Sequence, residues 1–153
     1  MPAPRPTGSR DRHPGSPSVR AHAGRDAIRQ EPVWLEVSVN TQPGYAIVAL
    51  VGDLDIAATG TLNFQMSALV SRGCTRIVVD VGDLLFCDAS GLGTLIEAAQ
   101  RAALCGGWVR LVGARGPLTR IIRITKLTRM LPEYRTVDDA LADVSASRGV
   151  TSG

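Results

Sequence analysis

The residues best placed to do chemistry lie in FCDASGLGTLIEAA, residues 86–99, where Ser90 stands between Asp88 and the pair Gly91 and Gly93. An apolar run gives way to a helical period at this point, so the serine and glycines fall on a strand-to-helix junction. Such a junction can present a nucleophile, cradle a phosphate or cap a helix. A nucleophilic serine needs a positioned base, most often histidine. The histidines are His13 and His22, both far upstream, and the sole lysine is Lys126. The flanking DASGL also departs from the G-x-S-x-G elbow. A dinucleotide loop would continue Gly91-Leu92-Gly93 to a third glycine, but Ile96 stands there and no acidic residue follows at the distance a ribose contact requires. No Gly-Lys-Ser/Thr run exists for a Walker loop.

Other candidate groups offer less. Asp53 and Asp55 in VGDLDIA share one face if the segment is a strand, but the glycine and distal glutamate of a calcium loop are missing. The favoured reading is a polar strand end, with Asp55 a helix cap. Cys74, Cys87 and Cys105 have neither disulfide nor zinc spacing, and Cys87 beside Asp88 has no basic neighbour to lower its pKa. Buried, reduced thiols are expected. No cofactor and no metal are implied, and no enzymatic activity. For Ser90 two readings stay open: an N-cap serine, or a hydroxyl exposed for recognition or modification. The glycines at 91 and 93 cost about 1 kcal/mol each relative to alanine in a helix. Small residues would leave the backbone bare for another molecule to approach.

The elements that must position these residues follow from periodicity. Leu35, Val37 and Val39 alternate with polar residues over 33–39, a half-buried strand. Pro43-Gly44 fits a type II turn into a second, antiparallel strand over 45–52. A helix is expected over 56–71, stopped by Gly73, then a buried parallel strand over 75–81. The opening motif starts a helix that ends at Gly106-Gly107. A strand over 108–113, a short helix over 117–124 with Pro117 in its first turn, and a final helix over 137–144 complete the chain. The order β-β-α-β-α-β-α-α predicts an α/β domain with a mixed sheet over residues 32–146.

Composition agrees with one such domain: 153 residues, 44% hydrophobic, 20% charged and 4% aromatic. Residues 1–31 are rich in Pro, Gly, Ser and Arg and are expected to be a disordered tail, and residues 147–153 a flexible C-terminus. Residues 1–31 carry six arginines against three acids, whereas residues 32–153 carry eleven charges of each sign. A neutral domain is not built to neutralise many phosphates, so direct nucleic-acid binding is not expected. No apolar run reaches the ~20 residues that span a bilayer, and MPAPRPTGSR has no apolar signal core. A cytoplasmic setting is the expectation.

Two segments, GDLDIAATGTL (52–62) and IVVDVGDLLFCDASGLGTLIEA (77–98), make the chain resemble a STAS domain of the anti-sigma-factor antagonist type. Asp53 stands where such proteins have the Glu of G-E-L-D, and Asp88 to Gly93 match D-[SA]-S-G-L-G. The resemblance implies a single STAS-type α/β domain with helices packed mainly on one face of a mixed sheet. It also implies binding to an anti-sigma factor with serine kinase activity, release of a sigma factor, phosphorylation at Ser90, and a phosphatase that reverses it. Asp53, Asp55, Asp88, Ala89, Ser90, Gly91, Leu92 and Gly93 would form the docking surface. Ile56 and Ala57 depart from the polar residues usual in relatives. The alternative within the same resemblance is a scaffold subunit of a lipid-transport or stressosome-like assembly.

Overall fold

The structure, a computed structural model, describes residues 18–22 and 34–143; residues 1–17, 23–33 and 144–153 lie outside the described residues. Strands β1 (Ser18–His22), β2 (Trp34–Gln42) and β3 (Tyr45–Leu54) come first. Helix α1 (Thr59–Ser71), strand β4 (Arg76–Cys87) and helix α2 (Ala89–Leu104) follow. Strand β5 (Trp108–Val112), helix α3 (Pro117–Ile124), strand β6 (Glu133–Tyr134) and helix α4 (Val137–Ala142) end the series. Among the described residues they form one sheet of order β1-β2-β3-β4-β5-β6. The first two pairings are antiparallel and the last three parallel. Strand β1 falls in the segment expected to lack structure. It adds an antiparallel edge along Trp34–Ser38.

Alternation decides which side chains reach the core. Leu35, Val37 and Val39 of β2, Ala46, Val48 and Leu50 of β3, and Ile77, Val79 and Val81 of β4 are buried on one face. Leu62, Met66 and Leu69 of α1, Leu95, Ala99 and Ala102 of α2, and Ile122 of α3 pack on that face. Three helices therefore cover one side. The opposite side carries a smaller cluster of Val78, Trp108, Val112 and Ala140, closed by α4. There the buried Arg110 lies 3.8 Å from the centroid of the Trp108 ring and donates to the Ala140 carbonyl. That bond fastens α4 to β5 and gives a buried guanidinium a partner.

Several boundaries differ from the expected ones for local reasons. The expected helix over 56–71 begins only at Thr59, because the Asp55 carboxylate accepts the N–H groups of Ala57 and Ala58 at 3.1 and 3.2 Å and holds a turn there. Gly44 adopts φ +89, as a type II turn requires. Strand β4 continues six residues beyond Val81. It does so through two register shifts against β3, one between Ala49 and Val51 and one between Gly52 and Asp53. At the second shift Leu84 faces Gly52 and Phe86 faces Asp53, so Leu85 is the extra residue. A bulge of this kind bends the strand and re-aims its side chains. Leu85 is 83% exposed and Phe86 53% exposed as a result. Strand β6, a two-residue element after Pro132, was not expected, and α4 ends at Ala142 rather than 144.

Candidate functional site

The bulged end of β4 delivers Asp88 in extended conformation (φ −95, ψ −174) to the start of α2. Asp88, not Ser90, is the N-cap: its carboxylate accepts the Gly91 N–H at 2.9 Å. Ser90 lies within the first helical turn, where its hydroxyl donates to Asp88 Oδ1 at 2.9 Å. The physical reason is spacing. An N-cap side chain reaches the N–H three residues on, and Asp88 to Gly91 is that distance, whereas Thr94 sends its own hydroxyl back to the Ser90 carbonyl. Burial by itself would raise the Asp88 carboxyl. The bonds it accepts from the Gly91 N–H, the Ser90 hydroxyl and the N–H groups of Ile56 and Ser90 together outweigh that and leave its pKa lowered.

One carboxylate thus ties together the β3–α1 loop, through Ile56, and the first turn of α2. The backbone adds a second tie, since the Asp88 N–H donates to the Leu54 carbonyl at 3.3 Å. Asp53, on the last turn of pleat in β3, and Asp55, in the loop, flank this junction. Asp53 has its pKa raised by burial and by the neighbouring Asp55 charge. Cys87 is pushed up to about 11 by burial and by Asp88, so it is a protonated, unreactive thiol at neutral pH.

The two glycines have opposite reasons. A Cβ on Gly91 would lie 2.3 Å from the Leu54 carbonyl oxygen and 2.7 Å from Leu54 Cγ, so Gly91 is required for close packing of α2 on β3. It is buried, as is Leu92 at 8% exposure. Neither forms the bare surface expected of them. A Cβ on Gly93 would meet nothing within 4 Å, and Ala89 is exposed. Asp53, Asp55, Asp88, Ala89, Ser90 and Gly93 therefore reach solvent at this edge, with Gly91 and Leu92 as their support.

Beside them lie three exposed apolar residues that sequence reasoning did not single out as a surface. Ile56 is 70% exposed and its N–H is bound to Asp88, while Leu85 and Phe86 sit on the bulge. In sequence, Leu84-Leu85-Phe86 looks like strand interior, and only the register shift turns it outward. The surface is thus apolar at its rim and acidic at its centre, with one hydroxyl in the middle. His22, the one histidine among the described residues, is on β1, with β2 and β3 between it and β4. No group of three or more His, Cys, Asp and Glu that could hold a metal occurs among the described residues, and no helix there is long and apolar enough to cross a membrane.

Comparison with known proteins agrees with the fold. The family model described as the STAS domain matches residues 36–140. The anti-sigma F factor antagonist of Paenibacillus polymyxa is 28% identical over 111 residues, covering 72% of this chain and 95% of that protein. The crystal structure of an anti-sigma factor antagonist from Mycobacterium paratuberculosis superposes with a TM-score of 0.64 at 28% identity, over 72% of this chain and 94% of that one. The Bacillus cell fate determinant SpoIIAA, solved in its phosphorylated form, shares the fold with a TM-score of 0.59 at 19% identity, over 71% and 98% of the two chains.

Proposed function

The chain belongs to the STAS domain family, and from that premise we propose that it is an anti-sigma-factor antagonist switched off by phosphorylation of Ser90. In this reading the edge formed by Asp53, Asp55, Asp88, Ala89, Ser90 and Gly93, with the apolar rim of Ile56, Leu85 and Phe86, docks on an anti-sigma factor that is also a serine kinase. Docking displaces the sigma factor. The kinase then modifies Ser90, the complex separates, and a phosphatase restores the hydroxyl. The protein is itself a binding partner rather than an enzyme, and the proposed partners place it in the cytoplasm.

The observation that carries this reading is the Ser90 hydroxyl held 2.9 Å from Asp88 Oδ1 on the first turn of α2. Phosphorylation removes that donor and adds about −1.5 to −2 charges next to a carboxylate. The helix dipole favours the added charge by about 0.3–1 kcal/mol, which offsets part of the repulsion within the domain. No such offset exists at a packed interface, where the dianion must be desolvated or must displace the partner. A penalty of about 3–4 kcal/mol there weakens binding by roughly a hundred- to a thousand-fold.

The test is reconstitution. Purified protein added to the cognate sigma–anti-sigma complex is expected to restore transcription from a sigma-dependent promoter. Ser90→Ala should do the same without being consumed by ATP, and Ser90→Asp should not restore it at all. Restoration by Ser90→Asp equal to the wild type would overturn the switch.

A further inference from the structure

A second group of residues, outside the Ser90 motif, gathers positive charge. Although residues 32–153 balance in charge, the balance is not even along the chain: residues 114–132 contain Arg115, Arg120, Arg123, Lys126 and Arg129 and no acid. Three of these five line one concavity of about 560 Å³, bounded by Ala114, Arg115, Gly116, Thr119, Arg120, Arg123 and Ile124. From these observations we propose that the groove between the β5–α3 loop and α3 binds a phosphate-bearing ligand, recognised by Arg115, Arg120 and Arg123.

One of the three arginines is anchored to the neighbouring strand. Arg115 Nη2 donates to the Gly82 carbonyl at 2.8 Å, which fastens the β5–α3 loop to the first bulge of β4. Arg120 and Arg123 stand one turn apart on α3, both exposed, and among the described residues neither guanidinium has a carboxylate partner. Exposed cations of this kind are normally interspersed with acids. Two carboxylates reach the wall: Glu133, held behind it by the Thr119 hydroxyl at 3.0 Å, and Asp80, which accepts the Gly82 N–H at 2.9 Å beside the Arg115 anchor. Three guanidiniums against these two carboxylates leave the groove positive. No side chain caps α3, so its first-turn N–H groups add to the same field.

Guanidinium groups match phosphate oxygens in pairs, which favours phosphate over a diffuse anion. The volume lies in the range of small-molecule pockets. No aromatic side chain lines it, so a nucleobase would have nothing to stack on and recognition falls on the phosphates. A free phosphorylated metabolite and a phospholipid headgroup share that chemistry.

Isothermal titration with tripolyphosphate is the first arm of the test, and sedimentation with phosphatidylcholine vesicles containing phosphatidic acid is the second. Tripolyphosphate is expected to bind the full chain, with affinity falling as salt rises. Arg120→Ala and Arg123→Ala should each weaken it by about tenfold, the loss typical of one charge-assisted bond. Both side chains are exposed, so the thermal transition should stay where it is. Ser90→Ala should bind as the wild type does, whatever the fate of the proposed switch. Vesicle binding that depends on the same arginines would support the site with a lipid source, and its absence alongside tripolyphosphate binding would support a soluble one. No binding in either arm, or binding undiminished in the Arg120→Ala/Arg123→Ala double variant, would overturn the proposal.

Discussion

Replacing each glycine of the motif by alanine separates packing from docking. At Gly91 the new Cβ would stand 2.3 Å from the Leu54 carbonyl oxygen, a backbone atom that cannot swing aside, and 2.7 Å from Leu54 Cγ. Helix α2 or strand β3 must retreat, and overpacking of this sort costs about 1–3 kcal/mol. The retreat also stretches the Asp88 N–H bond to the same carbonyl, worth about 1 kcal/mol. Against these stands the helix preference for alanine, about 1 kcal/mol. The net expectation is destabilisation by about 1–3 kcal/mol. Gly93→Ala meets nothing within 4 Å, so only the helix preference acts and the variant should be stabilised by up to about 1 kcal/mol. Urea denaturation of the two variants measures both, with an unchanged slope showing that the transition remains comparable. Binding should reverse the order of harm: at equal folded fraction, Gly93→Ala is expected to lose affinity for the anti-sigma factor, because its methyl projects at the proposed interface. A Gly91→Ala protein as stable as the wild type would refute the packing argument.

Two further outcomes follow from the site. Asp88→Ala removes the cap of α2 and should cost about 0.5–2 kcal/mol; because the folded pKa of Asp88 is lowered below its ordinary 3.8, its contribution is fully present above that value and is lost as pH falls through the folded pKa. The stability gap between wild type and Asp88→Ala should therefore be constant from neutral pH down to the ordinary aspartate range and close below it, a trend that denaturation at stepped pH would reveal or refute. Leu85→Ser acts on a side chain already 83% exposed and should leave stability within about 0.5 kcal/mol, whereas Phe86→Ser gives up the covered half of its ring and should cost about 1–2 kcal/mol; at equal folded fraction both should weaken anti-sigma-factor binding measured by titration.

Much of the fold could be read from local pattern. The alternation in β2 survives into the structure because that strand buries one face only, β3 follows as the antiparallel partner implied by the Pro43-Gly44 turn, and α3 spans the expected Pro117–Ile124, marked by Pro117. What could not be read depended on register. The extension of β4 through Gly82–Cys87 rests on two bulges that break its alternation, and those bulges turn Leu85 and Phe86 outward. Strand β6 is too short to show a period. The strand-to-helix junction expected at the Asp88–Ser90–Gly93 run is present, between Cys87 and Ala89. Of the two readings left open for Ser90, the cap falls instead to Asp88, and Gly91 serves core packing, which becomes evident only when α2 lies on Leu54. The basic stretch over 114–132 was visible in the residues but cancelled in a charge count over the whole domain.

The central claim, that one phosphate on Ser90 turns docking off while the fold survives, is tested most directly on stoichiometrically phosphorylated protein. Its affinity for the anti-sigma factor should fall by roughly a hundredfold or more relative to the unmodified chain, with the thermal transition nearly unmoved and full affinity regained after phosphatase treatment. Undiminished binding by the Ser90-phosphorylated protein would contradict the account.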